Sequence, residues 1–161
     1  MVIAIRALRR EDQAAARGLI LEGLGEHFGF IDASLNPDLD DIWETYVVAG
    51  ETFVVAELRR GAAGRLATDA LVGTGALVQE AAGGKPTTGR MVRMSVSAGH
   101  RRLGIGRRLV EHLLEEGRRR RFRQIVVETN HDWHDAIGLY RACGFGEYGR
   151  DEESVHLRLE L

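Results

Sequence analysis

The sequence predicts one α/β domain built on a mixed, mostly antiparallel sheet flanked by about four helices. Three observations carry that prediction. Strand-like and helix-like segments alternate along the chain, with no repeat, low-complexity tract or long linker between them. Between residues 52 and 97, apolar segments follow one another through glycine-rich turns, the pattern of an antiparallel meander. Residues 89–128 then read strand, helix, strand, and such a crossover joins parallel neighbours in the right-handed sense.

Each element has its own signal. Residues 2–9 (VIAIRALR) are β-branched and apolar before they turn charged, which suits a first strand. From Glu11 the apolar positions Ala15, Leu19, Ile20 and Leu24 recur at helical steps, and Glu11 and Asp12 complement the dipole of a helix start. After a polar connection from Gly29 to Pro37, a second helix is expected at about 38–48, opened by Asp38, Asp40 and Asp41. The run 52–58 (TFVVAEL) is apolar without alternation and predicts a strand buried on both faces. A glycine- and alanine-rich loop, Gly61 to Thr68, leads to a strand at 69–79, and Gly83-Gly84-Lys85-Pro86 marks the next turn. A strand at 89–97 precedes a helix of about 103–121 that gathers Ile105, Leu109, Val110, Leu113 and Leu114 on one face. The short strand Ile125–Val127, a helix from 133 to Cys143 and the alternating segment 155–161 complete the chain.

Composition removes several function classes. The 161 residues suffice for one domain with a substantial core, and a net charge of −2 gives no global attraction to nucleic acid or anionic lipid. The run Arg118–Arg121 with Arg123 suits the C-terminal end of a helix, where cations complement the dipole, better than a nucleic-acid surface. Met1 leads into an apolar run too short for a signal peptide or a membrane span, and no membrane partner is expected. The single cysteine, Cys143, excludes an internal disulfide and suits the cytoplasm; on its helix face it reads as packing. His131 and His134, with Asp132 and Asp135, lack metal-ligand spacing and read as capping and polar surface, so no metal is expected.

The richest stretch is Ser97 to Leu109 (SAGHRRLGIGRRL). A strand ends, a short basic loop carries Gly104 and Gly106, and a helix begins. The first turn of a helix offers unpaired N–H groups and the positive end of the dipole, both of which attract an anion. Glycine removes the Cβ that would hold a phosphate off the backbone. Arg101, Arg102, Arg107 and Arg108 add positive charge. A dinucleotide fingerprint would need glycine at position 109, which is leucine, and no Gly-Lys-Ser/Thr string supplies a P-loop.

Arg101-x-x-Gly104-x-Gly106, after Arg93-Met94-Ser95-Val96, resembles the acetyl-coenzyme A signature of the GNAT superfamily of N-acetyltransferases. Some thirty residues on, Ala136 to Phe145 (AIGLYRACGF) is similar to that family's second motif, a tyrosine-bearing helix closed by Gly-Phe. The resemblance covers about 88–147. It implies a central sheet splayed around the cofactor, with acetyl-CoA as co-substrate. Met94, Ser95 and Val96 would lie along the pantetheine. The backbone of Arg102, Leu103, Gly104, Ile105 and Gly106 would grip the pyrophosphate, with Arg101 and Arg107 beside it. Asn130 and Tyr140 would also touch the cofactor. The family's chemistry is direct attack of a neutral amine on the thioester, with the Val96 N–H facing the developing oxyanion and Tyr140 protonating the departing thiolate. The general base stays open among Glu128, Glu57, His27 and a chain of waters. Trp133 stands where many members carry an asparagine, which puts the usual asparagine contact in question.

The expected acceptor is a small-molecule amine; a protein or peptide amine, or a non-catalytic acyl-CoA-binding sensor, are the alternatives. The acidic and aromatic segment Glu22–Glu44 would cover the acceptor site. Its carboxylates either favour a cationic acceptor or serve only helix N-termini. Strand edges leave room for a homodimer.

Overall fold

The computed structural model describes residues 2–59, 70–80 and 87–161. Seven strands form one sheet in the order β1-β2-β3-β4-β5-β7-β6. They are β1 (Val2–Ala7), β2 (Thr52–Arg59), β3 (Ala70–Gln79), β4 (Thr88–Val96), β5 (Gln124–Asn130), β6 (Gly146–Arg150) and β7 (Ser154–Glu160). Every neighbouring pair is antiparallel except β4 and β5, which the crossover helix makes parallel. The α-helices are α1 (Gln13–Phe28), α2 (Ile105–Arg119) and α3 (His134–Ala142). The helix expected at 38–48 is instead a 3₁₀ segment, Pro37–Asp41, followed by a π turn, Trp43–Val48. The loop at 61–68 and the turn at 83–86 lie outside the described residues. No helix among the described residues is long and apolar enough to cross a membrane.

Two cores sandwich the sheet. The α2 and α3 side holds Ile105, Leu109, Val110, Leu113 and Leu114 against Val54, Ala56, Val72 and Ile125. The α1 side holds Ile20, Leu21, Leu39, Ile42 and Tyr46 against Phe53, Val55 and Ala76. β2 thus feeds both cores, as its unbroken apolar run predicts. Each fully buried aliphatic side chain contributes about 1.5–3 kcal/mol. The outer face of α2 carries Glu–Arg pairs, including Arg107–Glu111 and Arg118–Glu115. α1 stops at Gly29, whose φ of 81° only glycine adopts freely and whose N–H reaches the Gly25 carbonyl at 2.8 Å.

Two irregularities shape the site. β3 and β4 pair as Thr74–Ser95 and then Ala76–Val92, so Arg93 and Met94 together oppose Gly75 in a bulge. Arg93 takes φ 56°, left-handed for a non-glycine residue. A Cβ on residue 75 would lie 2.7 Å from the Met94 sulfur, which accounts for glycine there. The β4–β5 ladder runs only from Thr88–Gln124 to Arg90–Val126. Beyond it the two strands part.

Candidate active site

A cleft of about 540 Å³ opens where β4 and β5 separate. β4 lines it with Met94, Ser95 and Val96. The following loop and the first turn of α2 contribute Arg101, Arg102, Gly104, Ile105, Gly106 and Arg107. Glu128 enters from β5 and Tyr140 from α3. Leu103 is 60% exposed, and neither it nor Asn130 lines the cleft. Arg108 turns away, donating to the Ile3 carbonyl at 2.8 Å.

The backbone supplies donors on two sides. Ser97 N–H donates to the Val72 carbonyl at 2.8 Å, which makes Gly73–Val96 the widely spaced pair of the β3–β4 ladder. In such a pair the N–H and C=O point away from the partner strand, so those of Val96 face the gap. Arg101 Nε donates to that carbonyl at 3.3 Å. At the other wall, α2 begins at Gly104 with φ 79° and no side-chain cap, leaving its first N–H groups for a ligand. A Cβ on residue 106 would come within 3.0 Å of Leu139, so glycine there also lets α3 close on α2.

Tyr140 is 4% exposed, its ring 5.7 Å from Phe145. Its hydroxyl has no hydrogen-bond partner among the described side chains, yet it keeps some surface: among the described residues the only fully buried unpartnered side-chain atom is His100 Nδ1. Burial pushes the phenol well above its ordinary value, so it stays a proton donor. Glu128 is about half-exposed, 3.8 Å from Arg90 and 4.0 Å from His156. Together with Asp151, Glu128 and His156 place ligand-type atoms within 4.8 Å of one another; His131 and His134 take no part. Glu57 is buried away from the cleft, paired with Arg59 at 2.9 Å and with Arg6. The hydrogen bonds from Arg59 and then Arg6 hold its carboxyl below the usual range, which removes it from the candidate bases. Burial pushes the Cys143 thiol up, in keeping with a packing role.

The acidic segment resolves into structural roles. Asp38 accepts hydrogen bonds from Arg93 Nε at 2.9 Å and Tyr46 Oη at 2.6 Å. Burial alone would raise its carboxyl, but these bonds outweigh burial and hold it low. Asp41 caps the Glu44 N–H at 3.0 Å, and Asp40 lies 3.8 Å from Arg17. None of the three lines the cleft.

Sequence reasoning placed Glu22–Glu44 over the acceptor site but did not single out Ile20, Gly23 and Leu24 of α1, which wall the cleft. It also missed Glu26, which holds Arg101 through two hydrogen bonds of 2.6 and 3.0 Å. Trp133 lines the cleft and stacks on His27, ring centroids 4.2 Å apart at 12°.

The model of the acetyltransferase (GNAT) family matches residues 35–145. Human N-acetyltransferase 8B is 30% identical over 132 residues, covering 81% of this chain and 54% of that protein. The chain spans about half the length of the mammalian relatives it matches. An acetyltransferase of the GNAT family from Staphylococcus aureus Mu50 shares the fold with a TM-score of 0.81 at 22% identity, over 99% of this chain and 100% of that one. So does yncA of Salmonella typhimurium, solved with its cofactor acetyl-CoA, with a TM-score of 0.76 at 18% identity over 100% and 95%.

Proposed function

This chain belongs to the acetyltransferase (GNAT) family, and from that premise we propose that it is an N-acetyltransferase moving an acetyl group from acetyl-CoA directly to a small-molecule amine. One observation carries the reading: the uncapped N-terminus of α2, the outward N–H of Val96 and the phenol of Tyr140 all open on a single cleft.

The residues present fit that cofactor. The glycine-started helix and the guanidinium groups of Arg101, Arg102 and Arg107 match a pyrophosphate in charge and donor geometry. The gap between β4 and β5 suits an extended pantetheine arm, which would lie like an added strand. When bound there, acetyl-CoA supplies a thioester carbonyl open to attack by an amine.

The chain's own groups then divide the work. The Val96 N–H, already turned from β3, donates to the oxygen on which charge develops; fixed donors of this kind are worth about 10²–10³ in rate. Glu128 accepts the amine proton at the face of the cleft nearest Arg90 and His156. Tyr140 returns a proton to the leaving sulfur from a site that excludes most water. The two proton-handling groups are a half-exposed carboxylate and a phenol whose burial keeps its proton in place.

The test is thiol release from acetyl-CoA across a panel of amines, run beside calorimetric titration of coenzyme A. Amine-dependent release together with coenzyme A binding is expected. Binding without release for any amine, peptide amines included, would replace the transferase reading with that of an acyl-CoA-binding sensor.

A further inference from the structure

We infer that the acceptor is a primary amine carried on an apolar body, aromatic or aliphatic, and that Trp133 and His27 select it. This rests on the acetyl-transfer reading above and names the substrate class for the same site.

The α1 side of the gap is built from apolar groups. Ile20 and Leu24 of α1 and Val92 of β4 line it, and all three also belong to the core beneath α1. α1 lies directly on β4: a Cβ on Gly23 would stand 3.0 Å from the Ser95 hydroxyl. At Gly23 the helix backbone therefore comes close to β4. Asp38 of the acidic segment is committed to Arg93 and Tyr46. Of the lining residues only Glu128 and Asp135 are acidic, and Glu128 is engaged as the base.

The last turn of α1 closes this wall. His27 stacks parallel on Trp133 at 4.2 Å, meets Phe28 edge-on at 4.7 Å, and places Nε2 3.5 Å from Asp132. Its neighbour Glu26 grips Arg101 of the phosphate loop. Two consecutive residues thus tie α1 to both banks of the gap, and the Trp133 ring lines the cleft at that closure. An acceptor reaching Glu128 packs its body against Ile20, Leu24, Val92 and Trp133. An amine on an alkyl or aryl body is satisfied by those surfaces. A diamine or an amino sugar would set an ammonium or hydroxyl groups against those apolar surfaces. Mismatches of that kind separate substrates by about 10- to 100-fold in kcat/KM.

Phenethylamine and hexylamine, compared with putrescine and glucosamine, provide the test. The first pair is expected to exceed the second by at least about tenfold in kcat/KM. Trp133→Ala and His27→Ala should each erode that ratio while leaving the Kd for coenzyme A unchanged by calorimetry. A wild type that prefers putrescine or glucosamine overturns the proposal, as do variants that lose rate equally on all four amines. A second readout is independent of turnover. In a Trp43→Phe background Trp133 is the only tryptophan. Its emission in the coenzyme A-loaded protein should change with phenethylamine and not with putrescine. That result with no turnover would refute the transferase reading and keep the apolar pocket; the reverse order of response would refute the pocket.

Discussion

Replacing Tyr140 with phenylalanine separates catalysis from packing. The hydroxyl makes no hydrogen bond to any described side chain, so its removal breaks none of these, and the ring keeps its place against Phe145. Stability should therefore move by no more than about 1 kcal/mol in either direction. Activity should not be spared: loss of a positioned acid lowers the rate about 10²–10⁴-fold, which is roughly 2.7–5.4 kcal/mol of barrier. Thermal melts and kcat from thiol release, at saturating acetyl-CoA and amine, measure the two effects side by side. The pH dependence sharpens the test. Burial raises the folded-state value of this phenol above that of an unfolded tyrosine, near 10. The wild-type to variant rate ratio should then stay flat through about pH 9, with no limb from tyrosine ionisation. Stability carries the matching sign. The unfolded chain releases its proton first, so this stabilising contribution is complete below about pH 10 and is lost as pH rises from there towards the folded value. Tyr140→Phe should lose less stability than wild type over that alkaline range. A variant with unchanged melting and kcat within threefold of wild type would refute the acid role.

Three further substitutions follow from the same contacts. Glu26→Gln releases Arg101 for the cofactor phosphates, so the Kd for coenzyme A should fall about two- to fivefold at low salt, an effect that fades as salt rises; weaker binding by calorimetry would contradict the assignment. Asp38→Asn leaves Arg93 without its carboxylate and should cost about 1–3 kcal/mol in urea unfolding. Because the folded carboxyl lies below its ordinary value, its stabilising contribution is complete above about pH 4 and lost as pH falls through the folded value, so the variant should show a shallower acid limb. Arg121 takes φ 63° where α2 ends and the Phe122 N–H reaches back to Gly117 at 2.9 Å, a position that favours glycine. Arg121→Gly should gain about 0.5–1 kcal/mol, read as a rise of about 1–4 °C in Tm.

What could be read from the sequence was local. The loop from Ser97 to Leu109 states its geometry in its own residues, because glycine at a helix start and arginines beside it need no distant partner to be recognised. α2 and β2 are legible for the same reason: burial of one stripe, or of both faces, writes a periodicity into the chain. β6 was missed because Gly146, Tyr148 and Gly149 carry no alternation, and the strand exists by pairing with β7 across the turn that Asp151 holds through the N–H groups of Glu153 and Ser154. The segment 38–48 has helical composition, but Pro37 at its start, the buried side chains of Leu39 and Ile42, and the Tyr46–Asp38 bond accompany a 3₁₀ and π path. The side-chain partnerships were out of reach. Asp38 and Arg93 stand 55 residues apart, Glu26 and Arg101 75, and nothing in either local stretch announces the other.

The Asp38–Arg93 pair also joins two features that look separate in the sequence. Arg93 sits in the β4 bulge at a left-handed φ that costs an L-residue about 1–2 kcal/mol. The Thr74 hydroxyl holds its carbonyl at 2.8 Å, while its guanidinium is gripped by Asp38 and by Asn36 Oδ1 at 3.2 Å. The bulge lies between the pairing of β4 with β5 and the outward-facing Val96, so the backbone that aims the proposed oxyanion donor is held by contacts from the segment 36–38. Loosening 36–38 should therefore reach the chemistry through the register of β4, with no need for Asp38 to touch a substrate. A fall in kcat for Asp38→Asn with KM for the amine unchanged is the result this coupling requires, whereas a rise in KM alone would return Asp38 to the role of an acceptor contact.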